Sequence, residues 1–183
     1  DNKEPAHSIE MEQDKVISEL QQQIRGIDLK SKADDLKAVF GNDKLTLKIM
    51  GKDFSVDTQG KMYSDIHIHG WLAIPVLTHI LESKGTPVTE KWVPLRELPN
   101  GKDWYRLFGQ RCEKPLKRVA DLYTDLFEDI MVLFNGKEVA SHDQADVSLV
   151  LSLLPTFPML ICYWKPEDGL GSNLNLFFDA SAE

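Results

Sequence analysis

The sequence predicts an α+β fold, a mainly antiparallel sheet packed with helices in a single domain. Three observations predict it. Apolar spacing switches from helical to period two near residue 45, and short turns join the period-two segments. Helical segments are grouped between strands instead of alternating with them, which disfavours a parallel sheet. With 183 residues, 42% hydrophobic and 27% charged, the chain has material for one ordinary core and is not a disordered chain.

Residues 1–10 read as a flexible tail and 11–183 as the domain. From Glu12 to Ile27, Val16, Ile17, Leu20 and Ile24 recur at helical spacing, and Gly26 stops the run. A second helix is expected over Leu29 to Phe40, with Leu36, Val39 and Phe40 on its apolar side. Leu45 to Ile49 and Phe54 to Asp57 alternate around Gly51-Lys52-Asp53, a hairpin signal, and a third strand is expected from Met62 to Ile68. Leu72, Val76, Leu77, Ile80 and Leu81 define a buried helix face, with Pro75 placed in the first turn.

Trp92 to Leu95 is extended and Asp103 to Phe108 helical. A longer helix is expected from Pro115 or Leu116 to Phe134, closed by Asn135-Gly136. Strands are expected over Asp146–Leu153, Met159–Trp164 and Asn173–Asp179.

The net charge of −8 repels phosphate backbones and argues against nucleic-acid binding. The start, Asp1 to Gln13, is polar and has no apolar stretch, so no secretory signal is expected. The longest apolar run, Val147 to Trp164, contains Pro155 and Pro158 and reads as two strands, not a membrane helix. Cys112 and Cys162 lie far apart among apolar residues, which predicts free thiols and a cytoplasmic location.

Two stretches carry candidate chemistry. In Asp65-Ile66-His67-Ile68-His69-Gly70, His-x-His on a strand would put both imidazoles on one face, able to ligate a metal. The string resembles the Asp-x-His-x-His opening of amidohydrolases. That fold, however, is a barrel of at least about 200 residues with regular βα alternation. A haem-type or single-metal site at His67 and His69 remains open beside the plain reading of a polar strand face. Asp143 and Asp146 beside His142 are either ligands or a solvated loop.

The second stretch is basic. Lys102, Arg106, Arg111, Lys114, Lys117 and Arg118 face only Asp103 and Glu113 in sequence, with Trp104, Tyr105 and Phe108 interleaved. Cations beside aromatic rings suit flat or phosphorylated anions, and a helix starting at Pro115 would add free N–H groups. Trp92, Arg96, Glu97, Trp104, Tyr105, Arg106, Arg111 and Lys114 are therefore the candidate ligand-binding residues. Pairing with Asp121, Asp125, Glu128 and Asp129 is the competing reading, and Arg96-Glu97 can equally anchor a loop. No P-loop, G-x-G-x-x-G, G-x-S-x-G or H-E-x-x-H string occurs.

Longer stretches carry a family resemblance: LTLKIMGKDFSVDTQGKM (45–62), THILESKGTP (78–87), KWVPLRELPNGKDWYRLF (91–108), DVSLVLSLLPTFPMLICYWKPED (146–168) and LNLFFDASA (174–182). They resemble, in order, a prokaryotic family known only as a domain of unknown function and met mostly in anaerobes. The resemblance implies no activity. Some relatives carry a cysteine-rich iron–sulfur segment, and this sequence contains none. Three readings follow. The first is a non-enzymatic ligand-binding or accessory domain for an anionic metabolite or cofactor. The second is a metal- or tetrapyrrole-dependent protein using His67 and His69. The third is a structural or partner-binding domain, for which an exposed apolar patch or a dimer would speak. No particular cofactor or oligomeric state is expected.

Overall fold

A computed structural model describes residues 4–68 and 70–182. The α+β class with antiparallel strands is as expected, but the strands form two sheets. The chain divides into two compact units, Asp1–Thr86 and Pro87–Glu183.

The first unit holds α1 (Glu4–Arg25), α2 (Leu29–Lys32), strands β1 (Val39–Gly41), β2 (Lys44–Ile49), β3 (Lys52–Asp57) and β4 (Met62–Ser64), and α3 (Gly70–Glu82). The sheet order is β1-β2-β3-β4. Leu45, Leu47, Ile49, Phe54 and Val56 alternate inward, as period-two spacing requires. Met50 and Gly51 form the hairpin turn with φ of 47° and 77°, so the turn is one residue earlier than the sequence implied. Helix α1 packs against α3, and its backbone begins at Glu4, inside the stretch read as a tail.

Three expectations are corrected in this unit. The helix over Leu29 to Phe40 ends at Lys32, because Lys37 turns left-handed (φ 49°) and Val39-Phe40 enter β1. Pro75 is the sixth residue of α3, inside the helix and past its first turn, on its solvent side. The strand from Met62 ends at Ser64, not Ile68: the Ser64 hydroxyl accepts the Ile66 N–H at 3.1 Å and turns the chain out of the sheet.

The second unit holds β5 (Trp92–Pro94), a 3₁₀ turn (Leu95–Glu97), α4 (Gly101–Phe108), a π-turn (Gly109–Glu113), α5 (Lys114–Leu122), α6 (Leu126–Phe134), β6 (Lys137–Glu138), β7 (Val147–Leu154), β8 (Phe157–Trp164) and β9 (Asn173–Asp179). All neighbours in the order β5-β9-β8-β7-β6 are antiparallel.

Pro115 does not start a new helix here. The chain is helical from Gly101 to Leu122, and the Lys114 N–H reaches back five residues to the Gly109 carbonyl. That wider turn accommodates a proline ring that would otherwise press on the carbonyl four residues before it. The expected helix to Phe134 instead breaks at Tyr123, which is extended. The two-residue strand β6 has no period-two signature and was not foreseen.

Side chains on the two faces of this sheet meet different partners. One face carries Leu149, Leu151, Ile161, Tyr163, Leu174, Leu176 and Phe178 and is covered by the helices. Phe108 stacks near Phe178, with ring centroids 5.6 Å apart, and Phe127 near Tyr163, at 5.5 Å. By strand alternation the other face carries Trp92, Ser148, Val150, Pro158, Leu160, Cys162, Phe177 and Asp179. The loop residue Ala145 packs there on Leu160 and Cys162.

Candidate functional site

The loop-covered face of the second sheet holds an open groove of about 420 Å³. Two chain segments wall it. Val88, Glu90 and Trp92 form one side; Lys137, Val139, Ala140, Ser141 and His142 form the other; Val150, Pro158 and Leu160 lie beneath. Its volume lies within the range of about 300–1,000 Å³ common for small-molecule sites.

Both walls are held by polar side chains rooted in the sheet. Ser148 and Asp179 are the buried polar residues among those described. The Asp179 carboxylate accepts the Thr89 N–H (3.0 Å), the Thr89 hydroxyl (2.9 Å) and the Glu90 N–H (2.7 Å). It also accepts the Ser181 N–H at 2.9 Å and the Ser181 hydroxyl. Burial pushes its pKa up, but the Ser181 and Thr89 donors outweigh that and hold it at about 2. This clamp fixes Glu90 in a left-handed conformation (φ 59°), which a residue with a Cβ rarely adopts unless its surroundings impose it.

On the opposite wall the His142 N–H donates to the Ser148 hydroxyl at 3.0 Å, and the Ser141 hydroxyl donates to the Ala145 carbonyl at 2.9 Å. The His142 ring packs edge-on against Phe177, with centroids 5.0 Å apart. Asp143 and Asp146, read as ligands or loop, hold the loop to the end of β8. The Asp143 carbonyl accepts from the Trp164 indole at 3.0 Å, and the Asp146 carboxylate from the Lys165 N–H at 2.7 Å.

The structure separates the residues that the sequence grouped. Trp92 lines the groove. Trp104, Tyr105 and Arg106 lie exposed on α4, Arg111 on the π-turn and Lys114 at the start of α5, so they belong to the layer against the other face. Because that layer is helical without a break at Pro115, the expected free N–H groups there are bonded internally. Arg96 and Glu97 are exposed in the 3₁₀ turn. Arg96 acts electrostatically on Glu113: burial pushes the Glu113 carboxyl up, while the Leu176 N–H, donated at 2.9 Å, and Arg96 oppose the rise.

The Trp92–Leu98 string has a structural explanation of its own. The chain doubles back so tightly that a Cβ on Gly101 would sit 1.7 Å from the Leu95 carbonyl oxygen.

For the metal reading, His67 follows the end of β4 and is exposed, so strand alternation no longer pairs it with His69, and His69 lies outside the described residues. Among the described residues no three His, Cys, Asp or Glu side chains gather as a metal site. His79 is half-buried on α3, and burial pushes its imidazole pKa down. Among the described residues no helix is long and apolar enough to cross a membrane.

Glu90, Lys137 and Ser141 are groove residues that the sequence did not single out for binding, and His142 was named only beside Asp143 and Asp146. The signals were the polar residues Ser148, within β7, and Asp179, at the end of β9, which in sequence do not stand apart from Ser152, Asn173 and Asn175 on the same strands. No curated protein and no solved structure matches the chain. Residues 28–183 match the family model described as a domain of unknown function, DUF3786, and the chain belongs to that family.

Proposed function

We propose that residues 87–183 bind a small, flat, anionic metabolite or cofactor in the groove between Trp92 and His142, without catalysing a reaction on it. The observation that carries this reading is the fate of the two buried polar side chains. Ser148 and Asp179 each fix one wall of the groove. A recess held open by buried hydrogen bonds binds without first ordering its walls.

The lining sets the ligand's chemistry. Trp92 offers an aromatic surface, Lys137 a cation, and Glu90 an acceptor on the opposite wall. A planar carboxylate that also carries a hydrogen-bond donor fits this set.

Ligand-observed NMR with a panel of small aromatic carboxylates tests it. Trp92→Ala and Lys137→Glu are each expected to weaken a binder by about tenfold or more, while Arg111→Ala, outside the groove, leaves it unchanged. Binders lost in Arg111→Ala and retained in both groove variants would place the site on the helices instead.

A further inference from the structure

The groove of the second unit runs across its sheet, not along a strand. Trp92 stands on β5 and Lys137 on β6, the two edge strands. Between them Leu160 pairs in register with Val150, and Val150 with Lys137. Three strands separate the two edges, which sets them about 19 Å apart along the sheet. Trp92 and Val150 close in on the cluster at Leu160 from either side. Glu90 lies at the β5 end, because its N–H is held by Asp179, the register partner of Trp92.

A carboxylate and an ammonium therefore stand at opposite ends of one groove, with the apolar floor of Val150, Pro158 and Leu160 between them. Among the described residues neither charge enters an ion pair; the pairs are Lys48–Asp53 and Lys117–Asp121. The Glu90 backbone is pinned in the left-handed region by the buried Asp179, so its carboxylate is carried at that end by an anchor in the sheet. A ligand whose only charge is negative is drawn to Lys137 and repelled by Glu90.

We infer, resting on the ligand reading above, that the groove takes a dipolar ligand: a flat ring with a carboxylate at one end and a protonated amine at the other. The carboxylate pairs with Lys137. The amine lies by the Glu90 carboxylate and the Trp92 ring two residues on, so an ion pair and a cation–π contact act on the same group. The volume of about 420 Å³ admits one ring carrying both groups. An α-amino acid, whose two charges sit on one carbon, does not reach both ends.

Calorimetric titration of the full 183-residue chain with matched probes tests this. The probes are para-toluate, para-(aminomethyl)benzoate, and α-phenylglycine, an isomer of the second with both charges on one carbon. Para-(aminomethyl)benzoate is expected to bind about tenfold more tightly than para-toluate, the sum of an exposed ion pair and a cation–π contact. The α-phenylglycine isomer is expected to bind no more tightly than para-toluate. Glu90→Gln changes an exposed side chain and keeps the N–H bond to Asp179. It should cut the amine's advantage to about threefold or less and leave para-toluate as tight or tighter. Para-toluate bound with para-(aminomethyl)benzoate no tighter, an α-phenylglycine that matches its isomer, or an advantage unchanged by Glu90→Gln overturns the dipolar ligand and leaves the groove a carboxylate site. If neither benzoate binds, the ligand reading falls with it.

Discussion

Replacing Asp179 by Asn tests the clamp that shapes one wall of the groove. The side chain is 1% exposed and accepts five hydrogen bonds, from Thr89, Glu90 and Ser181. Asparagine keeps the shape, removes the charge and turns one acceptor into a donor facing an N–H or O–H group. The magnitude follows from the carboxyl's titration. Its pKa is lowered from 3.8 to about 2, a difference worth about 2.5 kcal/mol at about 1.4 kcal/mol per unit.

Because the folded-state value is depressed, this stability is fully present above about pH 4 and is lost as pH falls through about 2. The variant should therefore lose about 2–3 kcal/mol at pH 7, and the gap to the parent should shrink towards pH 2. Urea unfolding followed by tryptophan fluorescence reads it, since Trp92, Trp104 and Trp164 all lie in the second unit. A gap under about 0.5 kcal/mol at pH 7, or one that does not change with pH, would refute the reasoning.

Gly101→Ala should destabilise the second unit by about 3 kcal/mol or more, because its Cβ would meet the Leu95 carbonyl at 1.7 Å; thermal unfolding measures it. Ser148→Ala strips the His142 N–H of its acceptor and should cost about 1–2 kcal/mol by denaturant titration, while weakening any groove ligand. Iodoacetamide under native conditions should label exposed Cys112 and spare Cys162, whose thiol is fully buried and pushed up to about 11 by that burial; peptide mass spectrometry reads the ratio.

The first β hairpin was legible because its apolar residues alternate, Leu45, Leu47 and Ile49 against Phe54 and Val56, and β7 and β8 were legible because Pro155 and Pro158 divide the longest apolar run. The limits of the helices were less so. Period alone extends the helix at Leu29 through Val39 and Phe40, but a left-handed Lys37 turns the chain into a strand. Pro115 reads as a helix start, and only the π-turn before it lets the helix run through.

The candidate site was legible in part. Trp92 was found by its motif, but the cations after it lie fourteen to twenty-two residues on or sit in a turn, and nothing local says which side of the sheet a helix covers. The strand argument at His67 failed at a single hydrogen bond, from the Ile66 N–H to Ser64. Glu90, Lys137 and His142 come together only through long-range pairing, Asp179 with Thr89 and Glu90, and β6 with β7.

Backbone amide shifts on titrating a bound aromatic carboxylate into isotope-labelled protein test the central claim most directly. The account predicts that the perturbed amides cluster at 88–92 and 137–142, the two walls of the groove. Perturbations confined to 101–122, with both walls silent, would contradict it.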